Sequence, residues 1–166
     1  MKKEEINTQT MKDIQYKKGD ATNPIDNGNK VIVHICNDIG AWGKGFVMAI
    51  SKKWKEPEKK YREWFKSKEN FNLGEVQFVQ VQEDLWVANL IGQHKINKDE
   101  NGNAPIRYDA VENGLDKVAN FACEINASVH MPRIGCGLAG GKWEMIEPII
   151  EKTISKKDIN TTVYDF

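Results

Sequence analysis

Val31-Ile-Val-His34-Ile-Cys36-Asn37-Asp38-Ile-Gly40-Ala-Trp-Gly43-Lys44-Gly45-Phe46 reads as a strand, a bend and the start of a helix. Residues 31–35 are apolar but for His34, as expected of a strand covered on both faces. The three glycines then allow the main chain to pass close to a neighbour or a ligand. From there Phe46, Ile50 and Trp54 recur every four residues, laying an apolar stripe along a helix that stops before Pro57.

The same grammar extends outward in both directions. Further β-rich runs lie at residues 14–16, 76–81, 85–90, 128–131 and 161–164. Helical patterns cover 58–68, with Tyr61, Trp64 and Phe65 gathered on one side, 108–125, with Val111, Leu115, Val118 and Ala122 in one stripe, and 143–154. Pro148 in the last of these is tolerated near a helix start, where backbone donors lack intrahelical partners. Runs 76–81 and 85–90 are split only by Gln82, Glu83 and Asp84 and read as an antiparallel hairpin. The expected fold class is therefore α/β, three layers of α/β/α around a central mixed, mostly parallel sheet. Residues 97–104 form a polar, turn-rich loop, either an ordinary solvated connection or a mobile flap.

A chain of 166 residues with 40% hydrophobic content closes one core. One domain is expected over residues 14–166, behind a flexible arm of residues 1–13 that carries too few apolar side chains to offset the cost of ordering. The 24 basic and 24 acidic residues cancel, so no net positive field favours a polyanion, and sequence-specific nucleic-acid binding is not expected. Cys36, Cys123 and Cys136 show no CxxC spacing and are odd in number, which suits neither a disulfide framework nor a four-ligand zinc site. A cytoplasmic location and no metal are expected. No run approaches the ~20 apolar residues that span a bilayer, and no membrane association is expected.

Three segments carry candidate chemistry. Gly19-Asp20-Ala21-Thr22 puts a carboxylate at the C-terminal end of the first strand, where ligands of open α/β sheets bind. Asp20 there accepts from an exocyclic amine such as that of adenine; the plainer alternative is a turn or cap aspartate. In the second segment Asn37 offers donor and acceptor to a ribose diol, whereas a strand histidine such as His34 is more often a hydrogen-bonded core residue than a catalyst. Met131-Pro-Arg-Ile-Gly135-Cys136-Gly137-Leu138-Ala139-Gly140-Gly141-Lys-Trp143 is again strand, glycine loop and helix start, and its backbone N–H groups with the helix dipole make a phosphate cradle. Gly135 to Gly140 also matches the dinucleotide string of a Rossmann protein that binds NAD, but with about thirty residues after it there is no second half to hold a nicotinamide. Cys136 and Lys142 resemble a cysteine phosphatase loop, which wants an arginine where Lys142 stands.

Together, Gly19-Asp20, Asn37 before Gly43-Lys44-Gly45, and Pro132-Arg-Ile-Gly-Cys-Gly-Leu138 before a Trp-initiated helix resemble the macrodomain family over residues 14–166. The His34-Ile-Cys-Asn37 run is most similar to the branch of yeast ADP-ribose-1″-phosphate phosphatase and terminal ADP-ribose protein glycohydrolase. The resemblance implies that the ligand is ADP-ribose or ADP-ribose-1″-phosphate, free or on an ADP-ribosylated macromolecule, with no cofactor and no required metal. It assigns Asp20 and Ala21 to the adenine end, with Phe166 or Tyr164 flanking the ring. Asn37, Gly43, Lys44, Gly45 and Phe46 go to the distal ribose. Gly135, Cys136, Gly137, Leu138, Ala139, Gly140 and Gly141 go to the diphosphate. The glycohydrolase uses a lysine and an aspartate where this chain has Gln93 and Ala139, and neither of these supplies that covalent chemistry. The implied activity is hydrolysis by a positioned water, with His34 or Asp38 as the base; the alternative is a reader that binds without turnover.

Overall fold

The computed structural model describes residues 12–166. Apart from Lys12 and Asp13, the expected arm lies outside the described residues. Lys12 is already tied to the body, its N–H donating to Ser155 O at 3.1 Å.

Six strands form one sheet: β1 (Gln15–Lys18), β2 (Asn29–Asn37), β3 (Val76–Gln82), β4 (Leu85–Gln93), β5 (Ala127–Met131) and β6 (Thr161–Asp165), in the order β1-β6-β5-β2-β4-β3. Every neighbouring pair is parallel except β3 with β4, the expected hairpin. The sheet is thus mixed and mostly parallel. Its parallel strands end on one rim, and their exits are the loops that carry the glycine segments.

Among the described residues four helices cover the two faces: α1 (Phe46–Lys53), α2 (Glu56–Ser67), α3 (Tyr108–Ile125) and α4 (Trp143–Thr153), the last followed by a short 3₁₀ turn at Ser155–Lys157. Alternation along β2 shows why both faces need cover. Val31 and Val33 enter the larger core with Val111, Leu115 and Val118 of α3 and Ile146 and Ile150 of α4. Cys36 points the other way, into a smaller core with Trp42, Ile50 of α1 and Tyr61 of α2. This is the three-layer α/β/α arrangement. No helix among the described residues is long and apolar enough to cross a membrane.

Three local details differ from expectation. α1 ends before Pro57 as expected, but α2 begins at Glu56 rather than near 58, because Pro57 sits in its first turn, where a missing N–H is harmless. β4 runs on to Gln93, carried by pairing with β2 as far as Asn37↔Gln93. Pro148 lies in the second turn of α4, not at its start. It is exposed, so the carbonyl it leaves without a donor faces the solvent side of the helix.

Candidate functional site

The β1 exit is pinned to the end of β6 by Gly19 N–H donating to Asp165 O at 2.8 Å. Asp20 follows, exposed, with Oδ1 accepting from Thr22 N at 2.9 Å and Thr22 Oγ1 at 2.7 Å. Burial pushes this carboxyl upward, but the Thr22 hydroxyl and amide, with Lys53 nearby, outweigh it and hold Asp20 below the usual carboxylate range. Asp20 is therefore a turn residue and a charged acceptor at once, its Oδ2 bonding to nothing among the described residues. Ala21 is buried beside it. Phe166 is fully exposed at the end of β6, while Tyr164 is a core residue whose hydroxyl meets His130 Nδ1 at 2.8 Å.

At the β2 exit, Asn37 is committed to its own loop. Oδ1 accepts from Ile39 N and Ala41 N, both at 3.0 Å, and Nδ2 donates to Ala41 O at 2.8 Å. The buried Tyr61 hydroxyl donates to Asn37 O at 2.6 Å and lies 2.9 Å from Oδ1. The amide thus largely holds its own loop, and one Nδ2 hydrogen is left over for a ligand. Gly40 is likewise a packing residue. Its φ is +76°, and a Cβ there would come within 2.4 Å of the Phe65 ring. Gly40→Ala should cost about 2–4 kcal/mol, the left-handed backbone and the overpacked ring together; a urea melt checks it.

The remaining amides of this loop are different. Residues 43–46 form the N-terminal entry of α1, and their N–H groups make no hydrogen bond among the described residues. In the β5 exit, Cys136 N, Gly140 N and Gly141 N close the loop on Arg133 O, Gly137 O and Gly135 O, and Lys142 N donates to Tyr108 Oη. The N–H groups of Gly135, Gly137, Leu138 and Ala139 stay unpaired among the described residues. The two loops lie against each other, for a Cβ built on Gly45 (φ +83°) would lie 3.2 Å from Leu138 Cδ1. At Gly137 and Gly43 a side chain would meet nothing within 4 Å. Unpaired amides from two bends on one rim, next to a helix N-terminus, are a site for a polyoxyanion.

Ala139 has its methyl buried in the larger core and its oxygen taken by Ile106 N at 3.1 Å. Gln93 turns its amide to Lys95 O at 2.8 Å. Cys136 has its thiol pushed up by burial, against the pull of Arg133, opposite to what a phosphatase nucleophile needs. The strand order differs from that of a Rossmann sheet.

His34 is sealed, 2% exposed, between β2 and the α1–α2 layer. Asn89 Nδ2 donates to Pro57 O and Gln77 Oε1, so Asn89 Oδ1 must accept, and His34 Nε2 donates to it at 2.5 Å. His34 Nδ1 is then a buried acceptor without a partner. Burial lowers its pKa to about 4. As a base facing a ligand on the rim, His34 is in the wrong place. Asp38 is on the rim, but both oxygens are engaged, Oδ2 with His94 Nδ1 at 2.7 Å and Oδ1 with Lys95 N–H at 2.8 Å.

His94 escaped the sequence reading, which ended its strand at Leu90. A histidine just past a parallel strand was the available signal. It opens the 94–107 segment, whose far end docks on the β5 loop through Ile106 N and Ala139 O. A cavity of about 730 Å³ lies between Ile39 and residues 94–101, and one of about 740 Å³ is walled by Ala104, Arg107, Tyr108, Gly140 and Lys142.

No protein-family model matches the chain. Among curated proteins, a mouse chromodomain-helicase-DNA-binding protein 1-like is 34% identical over 163 residues, covering 92% of this chain. The chain spans only 18% of that protein and 15% of its zebrafish counterpart. An ADP-ribose 1″-phosphate phosphatase of Candida albicans is 28% identical over 147 residues, covering 84% of this chain and 92% of the relative. A Bacteroides thetaiotaomicron structure of unknown function superposes with a TM-score of 0.92 at 64% identity, covering 93% of this chain and 98% of that one. The structure of a macrodomain protein from Streptomyces coelicolor superposes at 0.84 with 49% identity, over 93% of this chain and 99% of that one. Identity at that level, sustained almost end to end on the same α/β/α layers, means that the chain belongs to the macrodomain family.

Proposed function

We propose that the protein binds ADP-ribose and hydrolyses an ester at the 1″ position of its distal ribose, either a phosphate monoester or the link to an ADP-ribosylated macromolecule. One observation carries the reading: two adjacent loops, in contact at Gly45 and Leu138, leave the N–H groups of residues 43–46 and of Gly135, Gly137, Leu138 and Ala139 unpaired among the described residues. Fixed amides solvate a pyrophosphate without a metal or a net positive field. Asp20 then accepts from the adenine amine, and the exposed Phe166 borders the ring. The Candida relative, a phosphatase by name, supports the phosphate ester as a substrate. His34 serves the core in this reading, and the water is activated on the rim.

Gln93 and Ala139, in the places of the glycohydrolase lysine and aspartate, favour a second reading, a module that binds ADP-ribose without turnover. Incubation with ADP-ribose-1″-phosphate and with an ADP-ribosylated protein separates the two. Release of phosphate or ADP-ribose is the expected result, and tight binding without product supports the reader. Asp20→Ala should weaken ADP-ribose binding by about 1.5–3 kcal/mol, the loss of a hydrogen bond to a charged acceptor. Asp20→Asn, which keeps the bond from Thr22, controls for the turn. Unchanged calorimetric affinity in both variants would remove the adenine assignment.

A further inference from the structure

Two strand exits meet at Asp38 and His94. The carboxylate holds Nδ1 of the ring at 2.7 Å, and its other oxygen accepts the next N–H, that of Lys95, at 2.8 Å. The main chain beneath is fixed as well, because His94 N–H donates to Pro105 O at 2.8 Å and Lys95 takes a left-handed φ of +59°. With Nδ1 engaged, Nε2 is left over, and it makes no hydrogen bond among the described residues. The side chain is 42% exposed, against 17% for Asp38, and it borders the cavity that Ile39 closes on the β2 side.

A carboxylate with both oxygens occupied is poorly placed to take a proton itself. A carboxylate bound to one nitrogen of an imidazole orients the ring, selects its tautomer and leaves the opposite nitrogen as the acceptor. Resting on the hydrolase reading above, we infer that His94 is the general base of the reaction, with Nε2 taking the proton of the attacking water, and that Asp38 is its positioning residue. The water oxygen forms a bond to the anomeric carbon as the bond from that carbon to the ester oxygen breaks. The electron pair leaves with the carboxylate or phosphate, which needs no proton, and the imidazolium later returns its proton to solvent. The charges facing the ring are Asp38 from the β2 exit and Lys95, Lys98, Asp99 and Glu100 from its own segment, with Asp99 drawn toward Arg107 at 3.9 Å.

The experiment uses the full chain with His94→Ala, His94→Gln and Asp38→Asn. ADP-ribose affinity is measured by calorimetry, and kcat with ADP-ribose-1″-phosphate and with a protein carrying glutamate-linked ADP-ribose is followed from pH 5 to 9. His94→Ala and His94→Gln should lower kcat between about 100- and 10,000-fold with ADP-ribose affinity within about threefold, and should abolish the fall in kcat on the acid side. Added imidazole should restore part of the His94→Ala rate. Asp38→Asn should lower kcat less and shift that acid limb. A His94→Ala enzyme that keeps its rate and its pH profile overturns the assignment. So does a wild-type protein that binds ADP-ribose but turns over neither substrate, which leaves the binding part of the proposed function standing; a wild-type protein that does not bind ADP-ribose overturns both.

Discussion

Gly137→Val should abolish ADP-ribose binding, weakening it at least about 100-fold, while the domain melts within a few degrees of the wild type. A side chain at this position meets nothing within 4 Å, so the free fold has no reason to object. The bound state of the proposed cradle does have one, for a branched side chain beside the unpaired amides of Gly137, Leu138 and Ala139 would compete for the space an oxyanion needs there. An excluded phosphate forfeits several charge-assisted hydrogen bonds at about 1.5–3 kcal/mol each. Gly141→Val is the contrasting variant. Its Cβ would sit 2.5 Å from Gly135 O, so it should lower stability itself. Calorimetry beside a thermal melt decides the matter, and a Gly137→Val protein that binds normally would refute the cradle.

The second large effect is loss of stability in mild acid. His34 and His130 are both enclosed, and burial lowers each from 6.5 to about 4. For His34 the reason is visible in its unpartnered Nδ1, where protonation would create a buried cation with no acceptor. His130 is held between Ser128 Oγ and Tyr164 Oη, both at 2.8 Å, and the Tyr164 hydroxyl accepts from Ile25 N at 3.3 Å. In the unfolded chain each ring takes its proton near pH 6.5, whereas the folded protein resists until about pH 4. Between those values the unfolded state binds more protons, so stability rises with pH and is lost as pH falls through the window. The loss is on the order of 3 kcal/mol for each ring, and two such losses are comparable to the whole stability of many domains, about 5–15 kcal/mol. Urea midpoints at pH 7.5, 6, 5 and 4.5 should therefore fall steeply. His34→Gln, which keeps a donor for Asn89 and does not titrate, should flatten the slope by about half. A midpoint that stays constant over this range would sink the account.

Much of the fold was legible in local pattern. α3 was read to its ends because Val111, Leu115, Val118 and Ala122 repeat at helical spacing, and all four are buried in one core. β2 was legible as apolar on both faces, and it divides its side chains between two cores. The misreadings came from residues whose meaning depends on neighbours. Pro57 marks the stop of α1, as expected, but it also sits in the first turn of α2, which therefore starts earlier than its apolar pattern. The strand carrying Gln93 looked shorter than it is, because its last residues owe their extension to β2. At the site, the glycine segments were found as candidates from composition alone. That Gly40 answers to Phe65, and Gly141 to Gly135 O, was not readable, since both look the same in sequence as the open Gly137. The chemistry of His34 allows a catalytic part, but its hydrogen bond lies with the buried Asn89, and the amide of Asn37 is also engaged with its own loop at Ala41.

Taken by itself, the chain of residues determined the alternation of strands and helices, the layers they form, and which segments stand at strand ends, because these follow from periodicity and from glycine and proline within a few residues. Only the tertiary structure decided which polar groups are left without partners. Asp38 and His94 are 56 residues apart and become a pair because β2 lies beside β4. Gly45 and Leu138 meet because β2 and β5 are neighbours in the sheet. A donor or acceptor is used up by whatever folds against it, so what remains free for a ligand is a property of the packed molecule.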